Sequence, residues 1–181
     1  MAMTDEEYML RAVELAKKGT GWTNPNPLVG AVIVKGGRII GEGYHKKYGG
    51  LHAEREALAS ANEDVSGATI YVTLEPCCHY GKQPPCVNAI IEAGIKRVVI
   101  GSYDPNPLVA GKGVSILRDH NITVDDKLVC SEECKSLNYV FFNYIKEKKA
   151  ICDIKVCTVP GRKDCNAYRI VTVDNRGNSK K

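Results

Sequence analysis

The sequence predicts an α/β domain in which a mixed sheet carries helices on both faces. Short runs of branched apolar residues alternate with helical patterns along most of the 181 residues, which is typical of this class. The first two strand patterns are separated only by Gly36-Gly37, a two-residue signal for an antiparallel hairpin. The longest apolar run covers only residues 28–34. A membrane span needs about 20 residues, so we expect the apolar residues to form a core and the chain to have no membrane partner.

The first elements follow from caps and branched runs. Thr4 and Glu7 form a capping-box pattern, which predicts a helix that continues to about Lys18. The run VGAVIVK (29–35) predicts a buried strand, and RIIGEGY (38–44) predicts its antiparallel return.

The remaining elements alternate between helix and strand. We predict a helix in HAEREALASAN from near His52, a strand in ATIYVTL (68–74) and a helix in CVNAIIEAG. A strand in RVVIGS (97–102), a short helix in VSILRDH and a short strand in NITV follow. The last element is one long helix in SEECKSLNYVFFNYIKEKK with Ser131 as N-cap. Because ligands of open α/β sheets bind beyond the carboxyl ends of strands, polar motifs that follow these strands are candidates for a site.

The C-terminal residues have a different composition from the rest of the chain. Residues 146–181 hold ten Lys/Arg and four Asp/Glu, whereas the other residues hold fifteen and seventeen. An acidic body with a basic tail argues against a nucleic-acid partner, whose binding face is usually basic. We predict one folded domain over residues 1–150 and a basic tail over residues 151–181 without a fold of its own. IKVCTV and YRIVTV within that tail are strand candidates.

The N-terminus and the cysteines bear on location. MAMTDEEYML is acidic and lacks the apolar core of a signal peptide, so we expect a cytoplasmic chain. In that compartment, the eight cysteines favour metal binding or burial over a disulfide framework.

Three cysteines and a histidine crowd the stretch PCCHYGKQPPC, residues 76–86. Zinc deaminases hold their metal with one histidine and two cysteines, beside a glutamate that is not a ligand. His52, Cys77 and Cys86 match this set, and Glu54 matches the glutamate that carries protons. Three protein ligands leave a fourth position for water, and the metal lowers the pKa of that water. We therefore predict a catalytic zinc site.

The alternative is a structural zinc site with Cys77, Cys78, His79 and Cys86 as its four ligands. Adjacent cysteines rarely reach one metal, because their side chains diverge. We therefore expect Cys78 to be a buried residue or a loop contact.

Four motifs together resemble a known family: NPNPLVGAVIV, HAEREAL, YVTLEPCCHYGKQPPC and DPNPLVAGKG. In this order and spacing they are similar to the pyrimidine deaminase of riboflavin biosynthesis, the deaminase half of a bifunctional deaminase/reductase. The resemblance covers residues from about 5 to 145. Its most specific element is the eight-residue insert between Cys77 and Cys86, where cytidine and tRNA adenosine deaminases have two residues.

The resemblance implies a cytidine-deaminase-like three-layer α/β/α sandwich with a five-stranded mixed sheet. It also implies the substrate 2,5-diamino-6-ribosylamino-4(3H)-pyrimidinone 5′-phosphate, a small pyrimidine ribosyl phosphate whose 2-amino group leaves as ammonia. In the reaction that we expect, Glu54 takes a proton from the water that attacks C2. Glu54 then passes protons to a ring nitrogen and to the leaving amine.

Five residues would bind the substrate if the resemblance is carried over position by position. Asn26 can donate to and accept from a pyrimidinone edge, and Lys82 can meet the phosphate as a point charge. The full set is Asn26, His79, Lys82, Asp104 and Asn106. From the residues alone, turn formation explains Asn26 and Asn106 equally well, and Lys82 has the pattern of a solvated lysine.

The chain departs from the family at three positions. Cys78 and Gln83 stand where the family often has Ser and Thr, and Pro160 stands where it usually has Asp. DIKVCTVPGR resembles only the opening of the reductase domain, and no GxGxxG follows. We therefore expect one zinc ion per chain, no reductase activity and no NADPH. The sequence leaves open a homo-oligomer and a separate protein that supplies the reductase.

The sequence leaves two alternative functions open. One is deamination of another nucleotide or base, such as a tRNA adenosine. The other is a zinc-stabilised binding module that has lost catalysis, although such a module has no need of a glutamate held off the metal.

Overall fold

The computed structural model describes residues 3–106, 109–147, 150–155, 168–173 and 179–180. Its helices are α1 (Asp5–Lys17), α2 (Ala53–Ala59), α3 (Cys86–Glu92), α4 (Lys112–Asp119), α5 (Ser131–Leu137) and α6 (Tyr139–Glu147). Its strands are β1 (Gly30–Lys35), β2 (Arg38–Tyr44), β3 (Thr69–Val72), β4 (Arg97–Ile100), β5 (Thr123–Asp125), β6 (Ala150–Lys155), β7 (Tyr168–Val173) and β8 (Ser179–Lys180). Within these residues, no helix combines the length and the apolarity of a transmembrane span.

The first five strands form one mixed sheet in the order β2-β1-β3-β4-β5. β1 runs antiparallel to both of its neighbours, and β3, β4 and β5 run parallel to one another. The hairpin between β1 and β2 closes where Lys35 pairs with Arg38. Gly36 and Gly37 make this turn with φ values of 57° and 73°, which side chains disfavour. The five-stranded mixed sheet that the sequence predicts is confirmed.

Helices cover both faces of this sheet, as the three-layer prediction requires. Side chains of β1 alternate between two cores: Ala31 and Ile33 enter one, and Val32 and Val34 enter the other. The first core also contains residues of α2, α3 and α4, and the second contains residues of α1 and α5. The sheet is therefore buried on both sides, which explains the nearly unbroken apolar runs of its strands.

The first helix begins as its sequence predicts. The Thr4 side chain accepts a hydrogen bond from the Glu7 backbone, and the Glu7 side chain accepts one from the Thr4 backbone. This reciprocal capping box satisfies two N–H groups that the helix leaves unpaired.

The prediction of one long helix over SEECKSLNYVFFNYIKEKK is wrong, because the helix is interrupted at Asn138. The buried Asn138 side chain accepts from the Leu28 N–H at 2.7 Å and donates to the Leu28 carbonyl at 2.8 Å. These two bonds to a distant loop hold Asn138 at φ −119° and ψ 25°, outside the helical region. Ser131 is the first residue of α5, and the cap is Cys130, in the left-handed conformation at φ 53°.

The chain divides into two compact units, Met1–Asn138 and Tyr139–Lys181. The second contains α6 and an antiparallel sheet of order β6-β7-β8. β6 and β7 overlap the strand candidates IKVCTV and YRIVTV. Most of residues 151–181 lie outside the described part of the chain, so the boundary at residue 150 and the tail without its own fold stay predictions.

Candidate active site

Helix α2 brings two of the predicted site residues together. His52 is its N-cap, but the imidazole makes no capping hydrogen bond and is available to other partners. Glu54 lies on the first turn and is 3% exposed. The helix packs closely on β2 at Gly43, where a Cβ atom would meet the backbone of Ala53 and Ala57. Only glycine allows this approach, which places the start of α2 beside the end of the sheet.

The two cysteines come from elements on the same side of the sheet. Cys77 lies beyond the carboxyl end of β3, and Cys86 is the first residue of α3. The Cys86 backbone N–H donates to Cys77 Sγ at 3.3 Å, and the Val87 N–H donates to the Cys77 carbonyl at 3.3 Å. The start of α3 therefore closes the insert and fixes the two sulfur atoms next to each other.

The ligand atoms of His52, Cys77 and Cys86 lie within 4.8 Å of one another. His52 Nδ1 is 3.5 Å from Cys77 Sγ and 3.4 Å from Cys86 Sγ. Zinc binds thiolate sulfur at about 2.3 Å and imidazole nitrogen at about 2.0 Å, so a tetrahedral angle sets nitrogen and sulfur about 3.5 Å apart. The donor types and both distances therefore fit one zinc ion held by all three side chains.

His52, Cys77 and Cys86 shift one another's pKa values. A hydrogen bond from the Cys86 thiol, helped by His52, lowers the pKa of Cys77 to about 4. The same bond to Cys77, together with burial, raises the pKa of Cys86. The hydrogen bond to Cys77 also raises the pKa of His52. The lowered pKa of Cys77 favours its thiolate, which is the form of cysteine that binds metal.

Glu54 lies beside the cluster without belonging to it. It interacts with the Cys86 side chain, yet its carboxylate is not among the mutually close ligand atoms found in the described residues. Burial raises its pKa to about 7. A buried carboxyl next to a metal set, but not part of it, is suited to carrying protons.

The four-ligand alternative does not match this geometry. Cys78 and His79 are both absent from the cluster that the described residues form. His79 is exposed, and Cys78 packs at the edge of the core that contains α2, α3 and α4. Cys78 therefore behaves as the loop contact that the sequence analysis expects.

Asn26 is connected to the cluster through His45, a residue that the sequence analysis missed. His45 Nδ1 lies 2.9 Å from the Leu51 carbonyl, and Nε2 lies 3.2 Å from Asn26 Nδ2. A carbonyl only accepts, and burial lowers the pKa of His45, so the neutral ring carries its proton on Nδ1. Nε2 then accepts from the Asn26 amide. The His45 ring also meets the His52 ring edge to face at 5.5 Å.

Asp104 and Asn106 lie on one turn of the loop after β4. Asp104 Oδ1 accepts from the Asn106 N–H at 2.8 Å. Burial raises the pKa of Asp104, and both His79 and Cys77 act electrostatically on this carboxyl. The loop therefore brings Asp104 into range of the insert and of the metal cluster.

Lys82 is exposed, and its Nζ lies 4.0 Å from the centre of the Tyr48 ring. Gln83 Nε2 donates to the Gly49 carbonyl at 3.3 Å, which joins the insert to the same turn. Within the described residues, Lys82 forms no ion pair, so its charge is held in place by a cation–π contact alone.

Sequence reasoning missed two supporting residues, His45 and Glu75. His45 directly follows β2 and is 3% exposed. Glu75 lies three positions after the end of β3 and is 5% exposed. A histidine or carboxylate at the end of a buried strand was the available signal. Neither residue has the spacing of a metal ligand. Glu75 therefore received no role, although it lies inside the motif YVTLEPCCHYGKQPPC.

The chain is similar to known deaminases. The family model for the cytidine and deoxycytidylate deaminase zinc-binding region matches residues 2–102. RibD of Actinobacillus pleuropneumoniae is 61% identical over 147 residues, which are 81% of this chain and 39% of that protein. Diaminohydroxyphosphoribosylamino-pyrimidine deaminase of Buchnera aphidicola (subsp. Schizaphis graminum) is 53% identical over 80% of this chain and 97% of its own length.

Among solved structures, RibD of Acinetobacter baumannii (form 1) superposes with a TM-score of 0.78 at 50% identity. The match covers 80% of this chain and 40% of that one. The chain thus spans about two fifths of the RibD relatives that it matches, 39% and 42% in two cases.

One histidine, two cysteines and a buried glutamate outside the ligand set define the class of the zinc-dependent base deaminases. Within that class, the chain belongs to the diaminohydroxyphosphoribosylaminopyrimidine deaminase family of riboflavin biosynthesis. The resemblance predicted from the motifs is confirmed.

Proposed function

We propose that this chain hydrolyses the 2-amino group of 2,5-diamino-6-ribosylamino-4(3H)-pyrimidinone 5′-phosphate. The products are 5-amino-6-ribosylamino-uracil 5′-phosphate and ammonia. The observation that carries the proposal is the close group of ligand atoms from His52, Cys77 and Cys86, with the buried Glu54 beside it. The name of the Buchnera relative, nearly all of which the chain covers, supports this substrate.

His52, Cys77 and Cys86 would hold one zinc ion per chain. When bound, zinc lowers the pKa of a water molecule and so supplies a nucleophile near neutral pH. Glu54 takes a proton from the attacking water and delivers it to a ring nitrogen. The same carboxyl then takes the second proton, from the hydroxyl now on C2, and gives it to the amine. The C2–N bond breaks, ammonia leaves and a C2 carbonyl remains. The burial of Glu54 excludes bulk water from both transfers, because the side chain is 3% exposed.

The loops around the cluster would recognise the rest of the substrate. Asn26 donates one amide hydrogen to His45. Its Oδ1 and its second amide hydrogen are the groups that would pair with the pyrimidinone edge. Asp104 and Asn106 bind the ribose hydroxyls or the linking amine. His79 and Lys82, both exposed on the insert, bind the 5′-phosphate.

The predictions about partners and location belong with this proposal. We expect the chain to lie in the cytoplasm. A homo-oligomer and a separate reductase that acts on the product are the partners that the sequence leaves open. Two expected absences, of reductase activity and of NADPH binding, also stay predictions.

One assay separates this proposal from its rivals. Ammonia release is measured with the pyrimidine phosphate, cytidine, dCMP and tRNA, and zinc content is measured on the same sample. We expect release from the pyrimidine phosphate alone and about one zinc per chain. Faster release from dCMP or tRNA would instead indicate a deaminase of another base. A zinc-loaded chain that releases no ammonia from any of the four would be an inactive binding module.

A further inference from the structure

Glu75 is a buried carboxylate with no cationic partner among the described residues. It follows β3 by three positions and is 5% exposed. Its backbone N–H donates to the Ser102 carbonyl at 2.8 Å, which continues the pairing of β3 with β4 past the strand ends. A charged group at this depth needs several donors to offset its lost hydration.

The donors are four backbone N–H groups from a single loop and the helix that follows it. Oε2 accepts from Asp104 at 3.4 Å and from Gly111 at 3.0 Å. Oε1 accepts from Gly113 at 3.0 Å and from Val114 at 3.4 Å. The carboxylate therefore uses both oxygen atoms, and each joins two peptide groups.

Two consequences follow from this pattern. Gly111 is the N-cap of α4 and has no side chain to cap it, so Glu75 caps the N–H groups of Gly113 and Val114 from 38 and 39 residues away. Oε2 also joins Asp104, which follows β4, to Gly111, which directly precedes α4. One atom therefore bridges these two positions of the loop.

Glu75 also lies two positions before Cys77, on the same extension of β3. A shift of the Glu75 side chain would therefore move the loop that carries Asp104 and Asn106 relative to the metal cluster. Gly113 packs so closely that a Cβ there would meet the Pro76 carbonyl and approach Glu75 Oε1. The start of α4 is therefore packed tightly against Pro76 and Glu75.

We propose that Glu75 is a positioning residue that sets the loop of Asp104 and Asn106 against the metal cluster and thereby determines affinity for the ribosyl part of the substrate. The proposal rests on the proposed function. Glu75 is outside the metal cluster and acts through the backbone N–H groups that it accepts from, those of Asp104, Gly111, Gly113 and Val114.

The sharpest variant is Glu75→Gln, which keeps the shape but replaces one acceptor oxygen with an amide nitrogen. In either orientation, two backbone N–H groups then face another donor. We expect kcat/KM for the pyrimidine phosphate to fall about 10- to 100-fold, mainly through KM, since small misplacements of binding groups have effects of this size. Zinc content should stay at the wild-type level. Glu75→Asp keeps the charge but withdraws it by one methylene, and should give a smaller rise in KM.

Ser102→Ala is the matched control. Ser102 is fully buried beside Glu75, and its hydroxyl donates to the Thr73 carbonyl at 2.9 Å. The control loses a buried hydrogen bond at the same depth but leaves all four N–H contacts of Glu75 intact. It should lower thermal stability and keep the wild-type KM. If Glu75→Gln and Glu75→Asp change KM no more than Ser102→Ala does, Glu75 is merely structural and the proposal is overturned.

Amide hydrogen exchange tests the clamp without reference to activity. Gly111 bonds one carboxylate oxygen of Glu75 and Gly113 bonds the other, so Glu75→Gln leaves one of these two amides without its acceptor. That amide should exchange about tenfold faster or more in Glu75→Gln than in Ser102→Ala. Equal exchange in the two variants would overturn the proposal. A wild-type chain that releases no ammonia would overturn the proposed function instead, and the exchange rates would still decide whether Glu75 holds the loop.

Discussion

The metal cluster and the recognition loops are built in different ways. The cluster residues belong to helix starts and strand extensions, with Glu54 and Cys86 at 3% and 0% exposure. Of the residues expected to bind substrate, His79 and Lys82 are exposed, and all five lie on loops. Within PCCHYGKQPPC alone, Cys77 and Cys86 approach His52, whereas residues 79–82 between them are exposed.

The difference separates reaction from specificity. A metal site needs its ligand atoms placed within tenths of an ångström, which elements packed on a sheet can provide. Recognition of one nucleotide needs groups that differ between related enzymes, and loops tolerate such change. Changes to the cluster should therefore remove turnover, and changes to the loops should alter KM.

The largest effect is expected from removing a metal ligand. Cys86→Ala should reduce zinc from about one per chain to nearly none and abolish ammonia release, because two ligands hold zinc poorly. Cys78→Ala is the control, since Cys78 is adjacent to Cys77 but outside the cluster. Metal analysis and the ammonia assay on both variants check this. Loss of zinc in Cys78→Ala would show that the ligand set is assigned wrongly.

The next effect separates the proton carrier from the ligands. Glu54→Gln should retain zinc but lower kcat about 10²- to 10⁴-fold, because the amide cannot take up a proton. KM should change little, since Glu54 holds none of the groups that bind ribose or phosphate. Steady-state kinetics with metal analysis provide the measurement. Full activity in this variant would remove Glu54 from the proposed reaction.

A smaller effect is expected on the recognition side. Lys82→Gln should raise KM for the 5′-phosphate substrate about tenfold or more, as a charge-assisted hydrogen bond is worth about 1.5–3 kcal/mol. The dephosphorylated substrate should bind both forms equally. Lys47→Gln, which removes another exposed lysine of the neighbouring turn, is the control. An equal loss for both substrates would mean that Lys82 does not meet the phosphate.

The smallest effect should lie outside both regions. Asp5 pairs with Arg97 at 2.6 Å and accepts from Tyr71 at 2.6 Å, and the hydrogen bond to Arg97 lowers the pKa of Asp5. Asp5→Asn should lower the free energy of unfolding by about 1 kcal/mol at pH 7 and leave KM unchanged, because the pair is partly exposed.

The pH dependence of that loss has a definite sign. A carboxyl whose pKa is lower in the folded chain stabilises the fold above its unfolded pKa of about 3.9, and loses this effect as pH falls toward the folded value. The difference between wild type and Asp5→Asn in urea unfolding should therefore shrink from pH 7 to pH 3. A difference that grows at low pH would contradict the assigned pairing.

Much of this molecule followed from local sequence. Thr4 and Glu7 predicted the first helix, Gly36-Gly37 predicted the hairpin, and branched runs predicted the strands of the sheet. Each of these signals depends on residues within a few positions of one another. The metal ligands could also be predicted from sequence. Their positions at helix starts and after a strand end place His52, Cys77 and Cys86 at one edge of the sheet.

Tertiary contacts decided the rest. Asn138 interrupts a helix because it pairs with Leu28, 110 positions away, and Glu75 caps α4 from 38 positions away. His45 orients Asn26 through a tautomer that only the Leu51 carbonyl specifies. The sequence by itself determined the elements and the donor types, since periodicity and caps are local. Which polar side chain meets which peptide group was decided only by the packed fold, because hydrogen bonds between distant residues leave no periodic signal in the chain.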